Sequence, residues 1–169
     1  ARIMFASAGT MLAHTALGRI DQVMNAPFLK APAHPQKPRD NRVEFRDVSF
    51  TYDGAETAAL SHVSFTAEPG QTIGIIGSTG SGKTSLVQLI PRLYDVTGGE
   101  VLVDGVNVKE YSLKHLREGV GMVLQKNVLF SGTIEENLRW GNEDAPMEDV
   151  IRFSESAQAD PFVKSFKNG

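Results

Sequence analysis

The chain has 169 residues, enough for one domain with a short appended segment. Hydrophobic residues make up 41% and charged residues 22%, which is typical of a globular protein and argues against a disordered one. The net charge of −3 gives no electrostatic reason to expect a nucleic-acid partner, and the absence of cysteine excludes disulfides and thiolate metal sites.

The first 26 residues favour one long, weakly amphipathic helix. No formally charged residue occurs from Ile3 to Gly18, and apolar residues recur at helical spacing as far as Met24. The uncharged run is shorter than the ~20 apolar residues that a membrane span needs. A soluble packing helix and the cytoplasmic end of a membrane helix both fit this pattern. Residues 27–41 are rich in proline and predict an extended linker, so a folded domain is expected over residues 42–169.

Two segments after the linker predict an antiparallel pair of strands. Residues 43–50 mostly alternate between apolar and polar side chains, and residues 60–66 alternate again. Tyr52 lies in the turn region between them. Its ring could stack on an adenine base, or it could simply cover the end of a strand.

The central motif is a glycine-rich loop that fits G-x-x-x-x-G-K-[ST] without a mismatch. The preceding apolar residues 71–76 predict a buried strand, and residues 86–90 predict a helix that ends before Pro91. A strand, a glycine loop and a helix in this order predict a phosphate-binding loop. Its residues are Gly77, Ser78, Thr79, Gly80, Ser81, Gly82, Lys83, Thr84 and Ser85.

The residue types of this loop suit a nucleotide phosphate. Gly77, Gly80 and Gly82 permit positive φ angles and a close backbone approach, so successive N–H groups can turn toward a phosphate. Lys83 would reach the β- and γ-phosphates, and the Thr84 hydroxyl would hold Mg²⁺. The loop therefore predicts a site for a nucleoside triphosphate with its magnesium ion.

Residues 100–105 allow two interpretations. An apolar run ending in Asp104 could be a strand that presents a magnesium-binding carboxylate. However, the Asp104-Gly105 pair is a strong hairpin signal, and Val106 and Val108 resume the alternation, so we favour a hairpin. Residues 97–100 are predicted to form a turn.

Gln125 follows residues 120–124, which predict a second buried strand. Ligands of open α/β sheets collect at the C-terminal ends of strands, so this glutamine could orient a water molecule or complete a magnesium shell. It could equally be a polar residue that leaves a strand. Farther along, Thr133 and Glu136 have capping-box spacing and predict a helix through Leu138, and Pro146 opens another.

Together these segments resemble the nucleotide-binding domain of an exporter-type ATP-binding cassette (ABC) transporter. The resemblance implies an α/β fold, with a P-loop NTPase (ABC ATPase) core and an N-terminal antiparallel β subdomain. Even the N-terminal segment is similar to the connection between the last membrane helix and the ATPase domain of an exporter. The matching segments are residues 15–27, 43–52, 77–85, 98–105, 120–125, 129–138 and 157–160.

The resemblance also implies roles for individual residues. Tyr52 matches the aromatic residue that stacks on adenine, and Gln125 matches the Q-loop glutamine, which contacts Mg²⁺ and the attacking water. Lys83 and Gln125 would act in catalysis, Thr84 and Gln125 would hold Mg²⁺, and the whole loop would bind ATP. Asp104 falls in a hairpin of the family.

The implied partners are ATP, a second nucleotide-binding domain and the protein's own membrane domain, which it would contact through the Q-loop region. The implied location is the cytoplasmic face of a cell membrane. Two other classes of protein share the phosphate loop. A P-loop small-molecule kinase needs an arginine-rich lid, but only Arg139 and Arg152 follow Gln125. A non-transport ABC ATPase would lack the membrane-helix tail that residues 1–41 suggest.

Three motifs of the family do not occur in this sequence: the Leu-Ser-Gly-Gly-Gln signature, the Walker B strand with its catalytic glutamate, and the switch histidine. We therefore expect the chain to be the N-terminal part of such a domain, truncated before the helical subdomain is complete. It is expected to bind ATP but not to hydrolyse it, because no carboxylate would polarise the attacking water. The uncovered sheet edges also predict poor solubility or partial order.

Overall fold

The computed structural model describes residues 17–25, 29–35 and 41–166, which form two compact units that divide after Gly121. Residues 17–24 are helical, as predicted, and their large apolar side chains are exposed. The predicted start of this helix lies outside the described residues, as do residues 27–28 and 36–40 of the predicted linker. No helix within the described ranges is long and apolar enough to cross a membrane.

The first unit is built on a four-stranded antiparallel sheet. Its strands are β1 (Val43–Phe50), β2 (Leu60–Ala67), β3 (Gly98–Val103) and β4 (Val106–Asn107), in the spatial order β2-β1-β3-β4. The predicted pairing of β1 with β2 is confirmed. Strand β3 adds to the other edge of β1, so the sheet is larger than the two-stranded piece that the sequence predicted.

The hairpin between β3 and β4 is also confirmed. Val103 pairs with Val106, which leaves Asp104 and Gly105 as a two-residue loop. Their φ angles of 53° and 75° are both positive, as a type I′ turn requires. Asp104 is therefore a turn residue and does not end a strand of the nucleotide-binding core.

The predicted turn at residues 97–100 is wrong, because Gly98 and Gly99 belong to β3. The pairing of β1 with β3 shifts register between Arg46 and Ser49, which is a bulge in the ladder. Gly99 has a φ of 69°, and a Cβ there would lie 2.3 Å from the carbonyl oxygens of Arg46 and Asp47. A side chain cannot fit so close to two backbone oxygens, so this bulge requires glycine.

The core of the first unit joins the sheet to two helices. Helix α1 (Lys83–Leu89) contributes Leu86 and Leu89, and helix α2 (Leu113–Glu118) contributes Leu116. Tyr111 is fully buried, and its hydroxyl donates a 2.7 Å hydrogen bond to the carbonyl oxygen of Val103. The sheet side of the core consists of Phe45, Val48, Phe50, Leu60, Val101 and Val103.

Two predicted strands do not form. Residues 71–76 and 120–124 are irregular, with Ile76 99% exposed and Val123 94% exposed. A strand exists only where a neighbour completes its hydrogen bonds, and no strand of the described chain pairs with either segment. Their apolar composition would suit a sheet that is covered on both faces.

Within the described residues, the second unit contains three α-helices, α3 (Ile134–Leu138), α4 (Met147–Ser156) and α5 (Asp160–Val163), and a 3₁₀ helix at Arg139–Gly141. The predicted capping box at α3 is confirmed. The Glu136 amide donates to the Thr133 hydroxyl at 3.1 Å, and the Thr133 amide donates to the Glu136 carboxylate at 2.7 Å. Helix α4 begins at Met147, so Pro146 is its N-cap residue and lies one residue before the predicted start.

Arg92 ties the described part of the linker to the first unit. Its guanidinium is 3% exposed and donates to both carboxylate oxygens of Asp95, at 2.7 and 3.1 Å. It also donates to the backbone oxygens of Lys30 at 3.2 Å and Lys109 at 3.4 Å. The hydrogen bonds from Arg92 hold the pKa of the Asp95 carboxyl below its usual value.

The Asp95→Asn variant tests this ion pair. It leaves the Arg92 guanidinium buried without a counter-ion, and we expect a loss of about 1–2 kcal/mol at neutral pH, reduced by the partial exposure of Asp95. Because the pKa of Asp95 is lowered in the folded protein, its ionised carboxylate stabilises the fold at pH values above about 4, the pKa of aspartate in an unfolded chain. This contribution is lost as the pH falls from there through the pKa of the folded protein. Urea midpoints at pH 7 and pH 3 measure both effects. The matched control is Asp53→Asn in an exposed turn, and equal midpoints for the two variants would contradict the assignment.

A second variant, Gly99→Ala, tests the bulge. We expect it to destabilise the sheet by more than the roughly 1–2 kcal/mol of left-handed backbone strain, because the new methyl group meets two carbonyl oxygens. Gly105→Ala is the control, since Gly105 has a similar φ of 75° but no atom within 4 Å of its Cβ position. Amide hydrogen exchange in β1 and β3 reports the local loss, and similar losses in both variants would refute a steric requirement at Gly99.

Candidate functional site

The glycine loop leads directly into helix α1, as the sequence predicted. Gly80 and Gly82 have φ angles of 82° and 83°, and Gly82 is the residue before the helix. Gly77 does not have a positive φ, so of the two properties that glycine permits in this loop it uses only the close approach. A Cβ on Gly77 would lie 2.5 Å from the Ser81 hydroxyl oxygen, so a side chain at this position would require Ser81 to move.

The end of the loop rests on the antiparallel sheet. A Cβ on Gly82 would lie 2.4 Å from the carbonyl oxygen of Ala59 and 2.9 Å from the Leu60 side chain. Leu60 is the first residue of β2, and the Ala59 amide donates to the Phe50 carbonyl at the end of β1 at 2.8 Å. The start of α1 is therefore fixed against the ends of the two strands that precede the loop in sequence.

The Lys83 ammonium lies inside the curve of the loop. Its Nζ donates to the carbonyl oxygens of Gly77 at 2.8 Å and Ser78 at 2.6 Å, and reaches the Ser81 hydroxyl at 3.3 Å. An ammonium group has three N–H donors and no acceptor, so the same donors can serve phosphate oxygens. The next residue, Thr84, has an exposed side chain on the first turn of α1.

Tyr52 lies beside the helix that carries the loop. Its hydroxyl shares a 2.8 Å hydrogen bond with the hydroxyl of Ser85, which is only 6% exposed. The half-buried Tyr52 ring makes perpendicular contacts with Phe50, at a centroid distance of 4.6 Å, and with Tyr94, at 5.2 Å. The structure thus brings Tyr52 to the loop, which its position in sequence could not establish.

The sequence interpretation missed Tyr94 and did not anticipate the bond between Tyr52 and Ser85. The sequence signal for Tyr94 was weak, because it is a single tyrosine just after the loop helix and belongs to no motif.

Gln125 is exposed at a bend of the second unit. In the described part of the chain, no group of three or more histidine, aspartate or glutamate side chains is arranged to hold a metal ion.

The described loop nevertheless has the features of a phosphate site. The Lys83 ammonium supplies positive charge and hydrogen-bond donors, and two glycines in the left-handed region leave the backbone open to a ligand. Magnesium would be held by the Thr84 hydroxyl and by phosphate oxygens, a donor set of hard oxygens that suits this ion.

Comparison with known proteins gives the class. The sequence profile described as ABC transporter matches residues 60–168 of the chain, so the chain belongs to the ABC transporter family. Its fold is that of the ABC ATPase domain. A solved structure titled as a bacterial Atm1-family ABC exporter with ATP bound superimposes with a TM-score of 0.82 at 28% identity, over 90% of this chain and 27% of that one.

Two curated relatives come from Bacillus subtilis. The chain is 45% identical to YgaD, named as a multidrug export ATP-binding/permease protein. The alignment has 127 residues and covers 75% of this chain and 22% of the relative. It is 39% identical to YheH, named as a multidrug resistance ABC transporter ATP-binding/permease protein. That alignment has 159 residues and covers 94% of this chain and 24% of the relative. The chain therefore spans less than a quarter of the length of these two relatives.

The Lys83→Met variant tests whether Lys83 closes the loop. Without the ammonium, the carbonyl groups of Gly77 and Ser78 lose a charged donor, and we expect faster amide hydrogen exchange across residues 77–82 in the absence of nucleotide. Lys114→Met is the matched control, since this lysine has an exposed side chain on α2. Unchanged exchange in Lys83→Met would show that other contacts hold the loop.

Proposed function

We propose that this chain is the ATP-binding region of an ABC exporter and that residues 77–85 bind the phosphates of Mg²⁺-ATP. The observation that carries the proposal is the position of Lys83, whose ammonium lies inside the glycine loop. It donates hydrogen bonds there to two backbone carbonyl oxygens, which phosphate oxygens could replace as acceptors. The match to the ABC transporter profile supports the choice of nucleotide.

ATP would exchange the partners of Lys83. The β- and γ-phosphates would replace the carbonyl oxygens of Gly77 and Ser78 as acceptors, and backbone N–H groups of the loop would complete the cradle. Thr84 would contribute its hydroxyl to Mg²⁺, and Gln125 would complete the metal shell and orient the attacking water. Magnesium, when bound, neutralises the charge on the phosphates.

Tyr52 would provide the stacking surface for the adenine ring. Its hydroxyl is bonded to Ser85, two residues after Lys83, so the ring is close to the loop that would hold the phosphates. Stacking of a base on an aromatic side chain contributes about 1–3 kcal/mol in nucleic-acid complexes and tolerates different bases.

Hydrolysis would belong to the complete protein. The sequence has no Walker B strand, signature motif or switch histidine, so this chain supplies the phosphate loop, the aromatic residue and the Q-loop glutamine. A second nucleotide-binding domain would face the bound ATP with its own signature motif. The P-loop kinase and the non-transport ATPase are not favoured, because the relatives are named as export or resistance ATP-binding/permease proteins.

Export would couple to ATP through the membrane domain. The names of the relatives join an ATP-binding part to a permease part, and the chain corresponds to less than a quarter of each. We infer that residues 1–26 extend the last membrane helix, that residues 27–41 link it to the ATPase domain, and that this domain lies at the cytoplasmic face of the membrane. The exposed segment around Gln125 would contact the membrane domain.

The direct test is a titration of the complete protein with fluorescent Mg²⁺-ATP, with phosphate release followed in the same samples. We expect saturable binding that Lys83→Ala weakens by at least about a hundredfold, because the ammonium is a charge-assisted donor to two phosphates. Lys114→Ala, on an exposed face of α2, should bind as the parent does. Equal affinities for Lys83→Ala and the parent would overturn the assignment of the loop.

A further inference from the structure

We propose that Ser85 and Tyr94 are positioning residues for the nucleotide base, because together they fix the ring of Tyr52. The inference rests on the proposed function and deepens it. It makes recognition of the base depend on a hydrogen bond from the phosphate-loop helix and on a second tyrosine.

Tyr52 is held at its hydroxyl and along its ring. The hydroxyl meets Ser85 at 2.8 Å, and the ring contacts Phe50 at 4.6 Å with an interplanar angle of 72° and Tyr94 at 5.2 Å with an angle of 85°. Perpendicular contacts at these distances are a favoured geometry of aromatic pairs. Phe50 is a buried core residue, whereas Tyr94 is 40% exposed, so Tyr94 forms the outer side of this support.

The hydroxyl bond with Ser85 also satisfies a buried polar group. Ser85 is 6% exposed, and a buried hydroxyl without a partner would carry a desolvation cost. The bond therefore favours the arrangement seen here, because turning the Tyr52 ring away would break it and remove this partner from the buried Ser85 hydroxyl.

Fixing the ring in advance matters because Tyr52 lies just beyond the end of β1, outside any strand. A free tyrosine at such a position would lose rotamer freedom when a base stacked on it, and that loss would weaken binding. Because Ser85 and Tyr94 already hold the ring, this rotamer freedom is lost when the protein folds and not when the base binds.

The same bond links the two halves of nucleotide recognition. Ser85 is the third residue of α1, which begins at Lys83. A shift of the start of α1 would therefore move both the ammonium that meets the phosphates and the hydroxyl that anchors the stacking ring. Base and phosphate recognition are predicted to be energetically coupled through Ser85.

The experiment compares two ligands of the complete protein, Mg²⁺-ATP and Mg²⁺-tripolyphosphate, which has the phosphates but no base. Equilibrium titrations are made with the parent, Tyr52→Phe, Ser85→Ala, the double variant and Tyr94→Leu. Ser61→Ala, at an exposed position on β2, is the control. Thermal unfolding of each variant is recorded alongside, so that any loss of folded protein is corrected in the binding amplitude.

We expect each single variant to weaken ATP binding about three- to tenfold. Tyr52→Phe and Tyr94→Leu, which lie outside the phosphate loop, should leave tripolyphosphate binding within about twofold of the parent. The double variant Tyr52→Phe with Ser85→Ala should be no weaker than the worse single variant, because both changes remove the same bond. Equal losses for both ligands in Tyr52→Phe or Tyr94→Leu, additive losses of ATP binding in the double variant, or single variants that all bind ATP as the parent does would overturn the inference.

The outcome separates this inference from the proposed function. A parent protein that binds neither ligand contradicts the proposed function itself. A parent that binds tripolyphosphate as tightly as ATP contradicts the role of Tyr52 as a stacking surface, and the positioning role falls with it. A parent that prefers ATP, with variants that keep the full preference, contradicts only the roles of Ser85 and Tyr94.

Discussion

The structure of the site depends on the contact between Gly82 and the start of β2. Only a residue without a side chain can stand where its Cβ position lies 2.4 Å from the Ala59 carbonyl oxygen, and Gly82 also has a φ of 83°. This contact fixes where α1 begins, and hence where Lys83 lies. The antiparallel sheet therefore does more than precede the phosphate loop in sequence, because the end of the loop packs against it.

The sheet is suited to this task because its strands pair with their neighbours and pack into one core with α1. Strand β1 lies in its centre, paired on both edges, and its inward side chains meet the helix that follows the loop. From the end of the same strand, Tyr52 reaches Ser85 on the helix. One sheet thus holds the phosphate loop through Gly82 and the aromatic residue through its own C-terminal end.

The sequence predicted those features that short-range rules control. The spacing of residues 77–85, the Asp104-Gly105 turn and the capping box at Thr133 each depend on neighbours in sequence, and each formed as expected. The strands at residues 71–76 and 120–124 could not be decided in this way, since a strand depends on a partner elsewhere. The bond between Tyr52 and Ser85 joins residues 33 apart, and no local pattern encodes it.

The most direct test of this account is the affinity of the complete protein for Mg²⁺-ATP when Gly82 is replaced by alanine. The account predicts a loss of at least about tenfold, because the new methyl group must push the start of α1 and Lys83 away from the sheet. Gly105→Ala carries a similar backbone strain in open space and should bind within about twofold of the parent. A Gly82→Ala variant that binds Mg²⁺-ATP as tightly as the parent would contradict the claim that the sheet seats the loop.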